Sequence, residues 1–214
     1  MSFLPIVSSL LAGLFVFTLF LWNVGLVPII VILVFLILSF FWLELLDNYL
    51  YYVSAFWLFI LSEIMAFGSI LFCCFYYDNV HYVNLSSPLE LPFLGCFILL
   101  GSSITITGFH HLMGWRLSWV LLGLTSLLGI SFILLQMVEF SDIYLNIFDS
   151  SFHASSFCTV GLHFTHVLIG VLGLLTILAI GVAHAGEYRC TLITWYWHFV
   201  DYIWLFVYTI VYVC

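Results

Sequence analysis

The sequence predicts an all-α integral membrane protein of seven transmembrane helices, on three observations. Of its 214 residues, 66% are hydrophobic and 6% charged, where soluble domains hold about half and about a quarter. Apolar runs of about 20 residues, long enough to cross about 30 Å of hydrocarbon as helix, recur along the chain. Polar residues, Gly and Pro collect in short joints between those runs.

Taken in order, the expected spans are residues 3–22, 27–46, 50–77, 91–113, 117–139, 152–183 and 191–213. The first, within MSFLPIVSSLLAGLFVFTLFLW, lacks a basic leader region and reads as a helix that stays in the membrane. Asn23 to Gly25 separate it from the second, which closes at Asp47 and Asn48. The third ends before the polar joint Asp78 to Leu89, the fourth before Gly114 to Arg116, and the fifth before Ser141 to Ser150. The sixth runs to His184–Arg189, and the seventh contains WYWHFVDYIWLFVY. The third and sixth are longer than a perpendicular helix requires and should tilt or project.

Seven spans put the termini on opposite sides. Both basic residues, Arg116 and Arg189, fall in joints on the N-terminal side, whereas Asp78, Glu90, Asp142 and Asp149 lie opposite. The positive-inside tendency therefore predicts an N-terminus facing the matrix or cytoplasm. Trp42, Trp115, Trp119, Trp195 and Trp197 fall near that same face, as an interfacial aromatic belt would. A formal charge of −8 with two cations argues against a nucleic-acid partner, because phosphate neutralisation needs a basic surface. The 6 cysteines form no Cys-x-x-Cys set and read as small apolar side chains.

Ionisable groups inside the spans carry the functional signal, since a charge at mid-bilayer costs at least about 2.5 kcal/mol. They are Glu63, the pair His110–His111, Glu139, His163 with His166, and His198 with Asp201. Glu63 reads either as a proton-related carboxyl or as one partner in a helix-to-helix hydrogen bond. His163 and His166, like His198 and Asp201, are three apart, share a helix face, and can meet each other or an opposing helix. An Asp accepting from a His N–H is the simplest way to satisfy the latter pair. Adjacent histidines suit copper or haem iron, but a redox site needs imidazoles converging from several helices, so no metal ligand and no catalytic residue is assigned. Gly101 with Thr105, and Ser103 with Thr107, have the small-x-x-x-small spacing of close helix packing.

Six stretches carry a family resemblance: LSEIMAFG (61–68), SPLELPFL (87–94), SITITGFHHLM (103–113), LLQMVEF (134–140), VGLHFTHVLIG (160–170) and WYWHFVDYIWLFVY (195–208). Ordered along the chain from Leu61 onward, they resemble subunit III of haem–copper respiratory oxidases, of the mitochondrial cytochrome c oxidase type. The resemblance implies a two-helix group (1–48) and a five-helix group (49–214) around a V-shaped cleft holding phospholipids. It implies an accessory subunit without redox cofactors, flanking a subunit I within a complex whose other subunits hold haem a and copper and pass electrons from cytochrome c to O2. The implied location is the mitochondrial inner membrane, N-terminus on the matrix side and C-terminus on the intermembrane-space side. Glu63, Glu139, His163, His166, His198 and Asp201 match positions the family also carries. Lipid contacts are expected at Trp42, Glu44, Trp195 and Trp197, although the family's Trp-Trp-Arg-Asp motif is represented here by Trp42 and Glu44 without arginine. Two alternatives are a quinol-oxidase subunit III and a self-contained transporter relaying protons through Glu63, Glu139, His166 and Asp201.

Overall fold

In a computed structural model of the chain, residues 4–21, 25, 27–47, 53–78, 84–115 and 117–213 are described. Among them all regular secondary structure is helical, with no strand. The helices are α1 (Leu4–Leu21), α2 (Val27–Asp47), α3 (Val53–Tyr77), α4 (Leu91–His111), α5 (Ser118–Asp142), α6 (Ser151–Ile180), α7 (Val182–Ala185) and α8 (Glu187–Tyr208), which continues into a π-helical turn (Thr209–Val213). Helices α3 to α6 are each long and apolar enough to cross a bilayer. This is a multi-pass membrane protein. At 30 residues, α6 measures about 45 Å against about 30 Å of hydrocarbon.

The chain divides into two units, Met1–Tyr52 and Val53–Cys214. In the first, α1 and α2 pack against each other. The second holds everything from α3 onward. The helix ends follow local chemistry: Pro92 opens α4, where a missing N–H costs nothing, and Ser150 caps α6 by accepting from the backbone N–H of His153 at 3.1 Å. The sixth span, expected to run to residue 183, breaks earlier. Gly181, with φ of +84°, stops α6, and Gly186, with φ of +81°, separates α7 from α8; L side chains rarely adopt that backbone.

The second unit closes around Trp197. Its ring lies against Gly129 of α5 and Gly170 of α6: a Cβ on Gly129 would stand 2.7 Å from Trp197 Cη2 and 2.6 Å from Val171 Cγ2, and one on Gly170 would stand 2.9 Å from the same ring. Only glycine permits that approach, which is how helices associate where lipid supplies no hydrophobic driving force. Trp197 Nε1 donates to Ser102 Oγ of α4 at 2.9 Å. The expectation that Trp197 contacts lipid is therefore corrected: the side chain is fully buried.

The surface is apolar, unlike that of a soluble protein, and several polar side chains lie inside among an apolar core. Ile104, Met65 and Leu134 are 75%, 69% and 62% exposed, whereas Gln136, Glu139, His163 and Asp201 are buried. Apolar side chains suit lipid or a membrane partner, and polar ones find their hydrogen bonds within the bundle.

Candidate functional site

Glu63 faces α6 from the middle of α3. Its Oε2 lies 2.9 Å from His166 Nε2, and His166 Nδ1 donates to the Leu162 carbonyl at 2.8 Å. With Nδ1 committed as a donor, the proton between the two side chains can reside on the carboxyl or on Nε2, and the bond survives either way. Phe67 meets the imidazole edge-on at 5.1 Å between centroids, and Tyr196 stacks at 6.4 Å, holding the ring in place. Side-chain exposure is 10% for His166 and 23% for Glu63, because the pair borders a groove of about 610 Å³ between α3, α6 and α8. Ile177 and Ile193 supply apolar wall, and Arg189 stands among the lining residues. A carboxyl–imidazole pair, one guanidinium and a long apolar wall make an amphipathic trough.

A second network joins α4 to α8. Ser103 Oγ donates to Asp201 Oδ2 at 2.5 Å and lies 3.2 Å from His198 Nδ1; Thr107 Oγ1 lies 3.3 Å from His198 Nε2. Ser102 Oγ lies 3.4 Å from Asp201 Oδ1 and accepts from Trp197. The expected direct His198–Asp201 bond is thus replaced by Ser103, which stands between them. The helix-packing spacing of Ser103 and Thr107 concealed this role, although two hydroxyls one turn apart are also how a helix grips an opposing imidazole.

The third site closes on Glu139 near the end of α5. Ser86 Oγ donates to Oε1 at 2.9 Å and Gln136 Nε2 to Oε2 at 2.8 Å. Ser86 and Gln136 were not singled out from sequence, though Gln136 sits three residues before Glu139 and is the chain's single Gln.

The remaining expected residues scatter. His163 Nε2 donates to the Val200 carbonyl at 3.2 Å, and its ring lies 4.9 Å from Trp204 and 5.7 Å from Phe132; it fastens α6 to α8. The rings of His110 and His111 diverge at 82°, and His110 Nε2 reaches Thr191 at 3.5 Å. Among the described residues, no three His, Cys, Asp or Glu side chains converge as a metal-ligand set. Trp195 lies against Trp57 at 5.2 Å and lines a second groove, apolar but for His198, between α3 and α8. Trp42 and Glu44 fall on α2, but their side chains lie outside the described residues, as does Arg116.

Comparison with known proteins decides the lineage. The sequence model described as cytochrome c oxidase subunit III matches residues 47–214. The chain belongs to that family. Among curated relatives, the cytochrome c oxidase subunit 3 of Locusta migratoria is 35% identical over 173 residues, covering 72% of this chain and 66% of that protein. The Loxodonta africana protein of the same name is 39% identical over 133 residues, covering 59% and 51%. The Drosophila melanogaster protein is 35% identical over 176 residues, covering 72% and 66%. The matched region thus spans between half and two thirds of these relatives' length. All three networks fall inside the stretch matched by the family.

Proposed function

We propose that this chain is the accessory, non-redox subunit III of a proton-pumping terminal oxidase in the mitochondrial inner membrane. In this reading it packs beside the subunit I that carries haem a and copper, steadies that subunit's proton uptake, and binds phospholipid, while electrons from cytochrome c reach O2 through its partners. The observation that carries the reading is the family match across residues 47–214. Its support in the fold is that each buried acid lies within reach of hydroxyl, amide or imidazole groups of this same chain, as a scaffold requires.

The trough beside Glu63 and His166 is the proposed phospholipid site: acyl chains would lie along Ile177 and Ile193, and Arg189 would meet the phosphate. An N-terminal side toward the matrix is part of this reading, supported by the positive-inside tendency of Arg116 and Arg189. The test is a gently solubilised complex purified through this chain, with subunits identified by mass spectrometry and an optical spectrum recorded. Expected are a haem-bearing catalytic partner and co-purifying phospholipid that declines in an Arg189→Gln variant. A complex without any haem-bearing subunit would overturn the assignment, and unchanged lipid in the variant would overturn the lipid site alone.

A further inference from the structure

We infer that the connection between α5 and α6 is a membrane-anchoring turn, with Tyr144 and an Ile147–Phe148 tip seated in the headgroup layer of the bilayer. The connection leaves α5 at Ile143 in extended backbone, with φ of −74° and ψ of 122°, a conformation in which successive side chains alternate in direction. Ile143 and Leu145 pack against the core, so Tyr144 between them turns away from the bundle and is 99% exposed. The chain then reverses over Asn146–Asp149. The Asp149 backbone N–H donates to the Asn146 carbonyl at 3.1 Å, and the Asn146 backbone N–H donates to Asp149 Oδ2 at 2.6 Å. Asn and Asp at the two ends are ordinary turn chemistry, but central turn positions facing water are usually Gly, Pro or small polar residues. Here they are Ile147 and Phe148, 54% and 98% exposed. A turn closed by two hydrogen bonds thus holds two large apolar side chains outward.

The level of the turn along the helices says what surrounds it. Met137 and Val138 are exposed apolar side chains on a helix long and apolar enough to cross a bilayer, so hydrocarbon reaches to about one turn from the end of α5 at Asp142. The rise from Val138 to Asp142 is about 6 Å, and the headgroup region adds about 5–8 Å beyond the hydrocarbon on each side. The connection therefore starts inside that region. Asp142 and Asp149, both exposed, keep it from sinking into hydrocarbon, where a charge is costly. Tyr144 supplies the ring with one apolar and one polar part that suits this layer. The connection holds no Lys or Arg, so it is held by apolar and aromatic area and not by attraction to anionic lipid.

This placement depends on the membrane spans alone and not on which complex the chain serves. The test uses the intact complex containing this chain, reconstituted in phosphatidylcholine vesicles that carry a photoactivated diazirine either beside the headgroup or at the acyl terminus, with labelled residues mapped by mass spectrometry. Expected is labelling of Tyr144 and Phe148 that is severalfold stronger from the headgroup position. Stronger labelling from the acyl terminus would put the turn in hydrocarbon and overturn the headgroup seat. Labelling from neither position would overturn lipid contact altogether. Hydroxyl-radical footprinting of the same sample would then separate the two refuting cases: a turn covered by a partner subunit stays unmodified, and one standing in water is modified.

Discussion

The contact between Glu63 and His166 can be weighed with a double-mutant cycle. Glu63→Leu removes the carboxyl and leaves His166 Nε2 facing an apolar trough without its 2.9 Å partner. His166→Phe is nearly isosteric and keeps the packing against Phe67, Tyr196 and Phe199. A dry unpaired imidazole nitrogen would cost about 1–3 kcal/mol. The 23% exposure of the Glu63 side chain admits some competing solvent or headgroup, which places the cost at the lower end. Interhelical hydrogen bonds measured in membranes average about 0.6 kcal/mol and reach about 1.7. The coupling between the two substitutions should therefore be about 1 kcal/mol, or roughly fivefold in an equilibrium constant. Glu63→Gln should lose less than half of that, because an amide N–H can still donate to Nε2. The assay is reversible unfolding of the full chain in bicelles, followed for wild type, each single variant and the double. Strict additivity, or a Glu63→Gln variant as weak as Glu63→Leu, would refute the bond.

Other substitutions probe the remaining packing. Gly129→Ala drives a methyl to 2.6 Å from Val171 and 2.7 Å from Trp197; after the gain of about 1 kcal/mol in helix propensity, overpacking should leave a net loss of about 1–2 kcal/mol. Gly123→Ala, with open space around it, should be neutral or stabilising in the same unfolding assay. Trp197→Phe empties part of a fully buried pocket and deprives Ser102 of its donor, so thermal denaturation should show a loss of about 2 kcal/mol, well above that of Trp195→Phe. Ser103→Ala removes the hydroxyl linking His198 to Asp201; its cost of about 1 kcal/mol should largely vanish in an Asp201→Leu background.

Hydropathy located the helices because it is a property of runs, and runs survive any rotation of the helix about its axis. The same uniformity hid which side of each helix faces inward. Trp195 and Trp197 differ by two positions and point to different sides of α8, yet both read as belt residues; what distinguishes them is glycine on other helices, Gly129 and Gly170, meeting one ring and not the other. Glu63 and His166 were each conspicuous as ionisable groups, but their pairing spans 103 positions and follows from how α3 packs on α6. Gly181 and Gly186 were visible as residues, while the four-residue α7 between them depends on positive φ angles that no apolar count reports.

The three polar networks also bear on the self-contained relay through Glu63, His166, Asp201 and Glu139. A relay needs hydrogen-bonded groups in continuous contact, and among the described residues no hydrogen bond joins the networks to each other. The Glu63–His166 pair ends on the backbone of α6 at Leu162. The Asp201 network ends at Trp197 and Thr107, and Glu139 is held by Ser86 and Gln136. Between them stand aromatic side chains: Phe199 against His166, and Phe132 against both His163 and Trp204. His163, packed against Phe132 and Trp204, donates to a backbone carbonyl and leaves Nδ1 without a partner among the described residues, so it passes nothing onward. Reconstituted alone in liposomes carrying a pH-sensitive dye, the chain should conduct no protons above the lipid background under an imposed gradient. Flux that disappears in Glu63→Gln would restore the relay and refute the separation argued from these contacts.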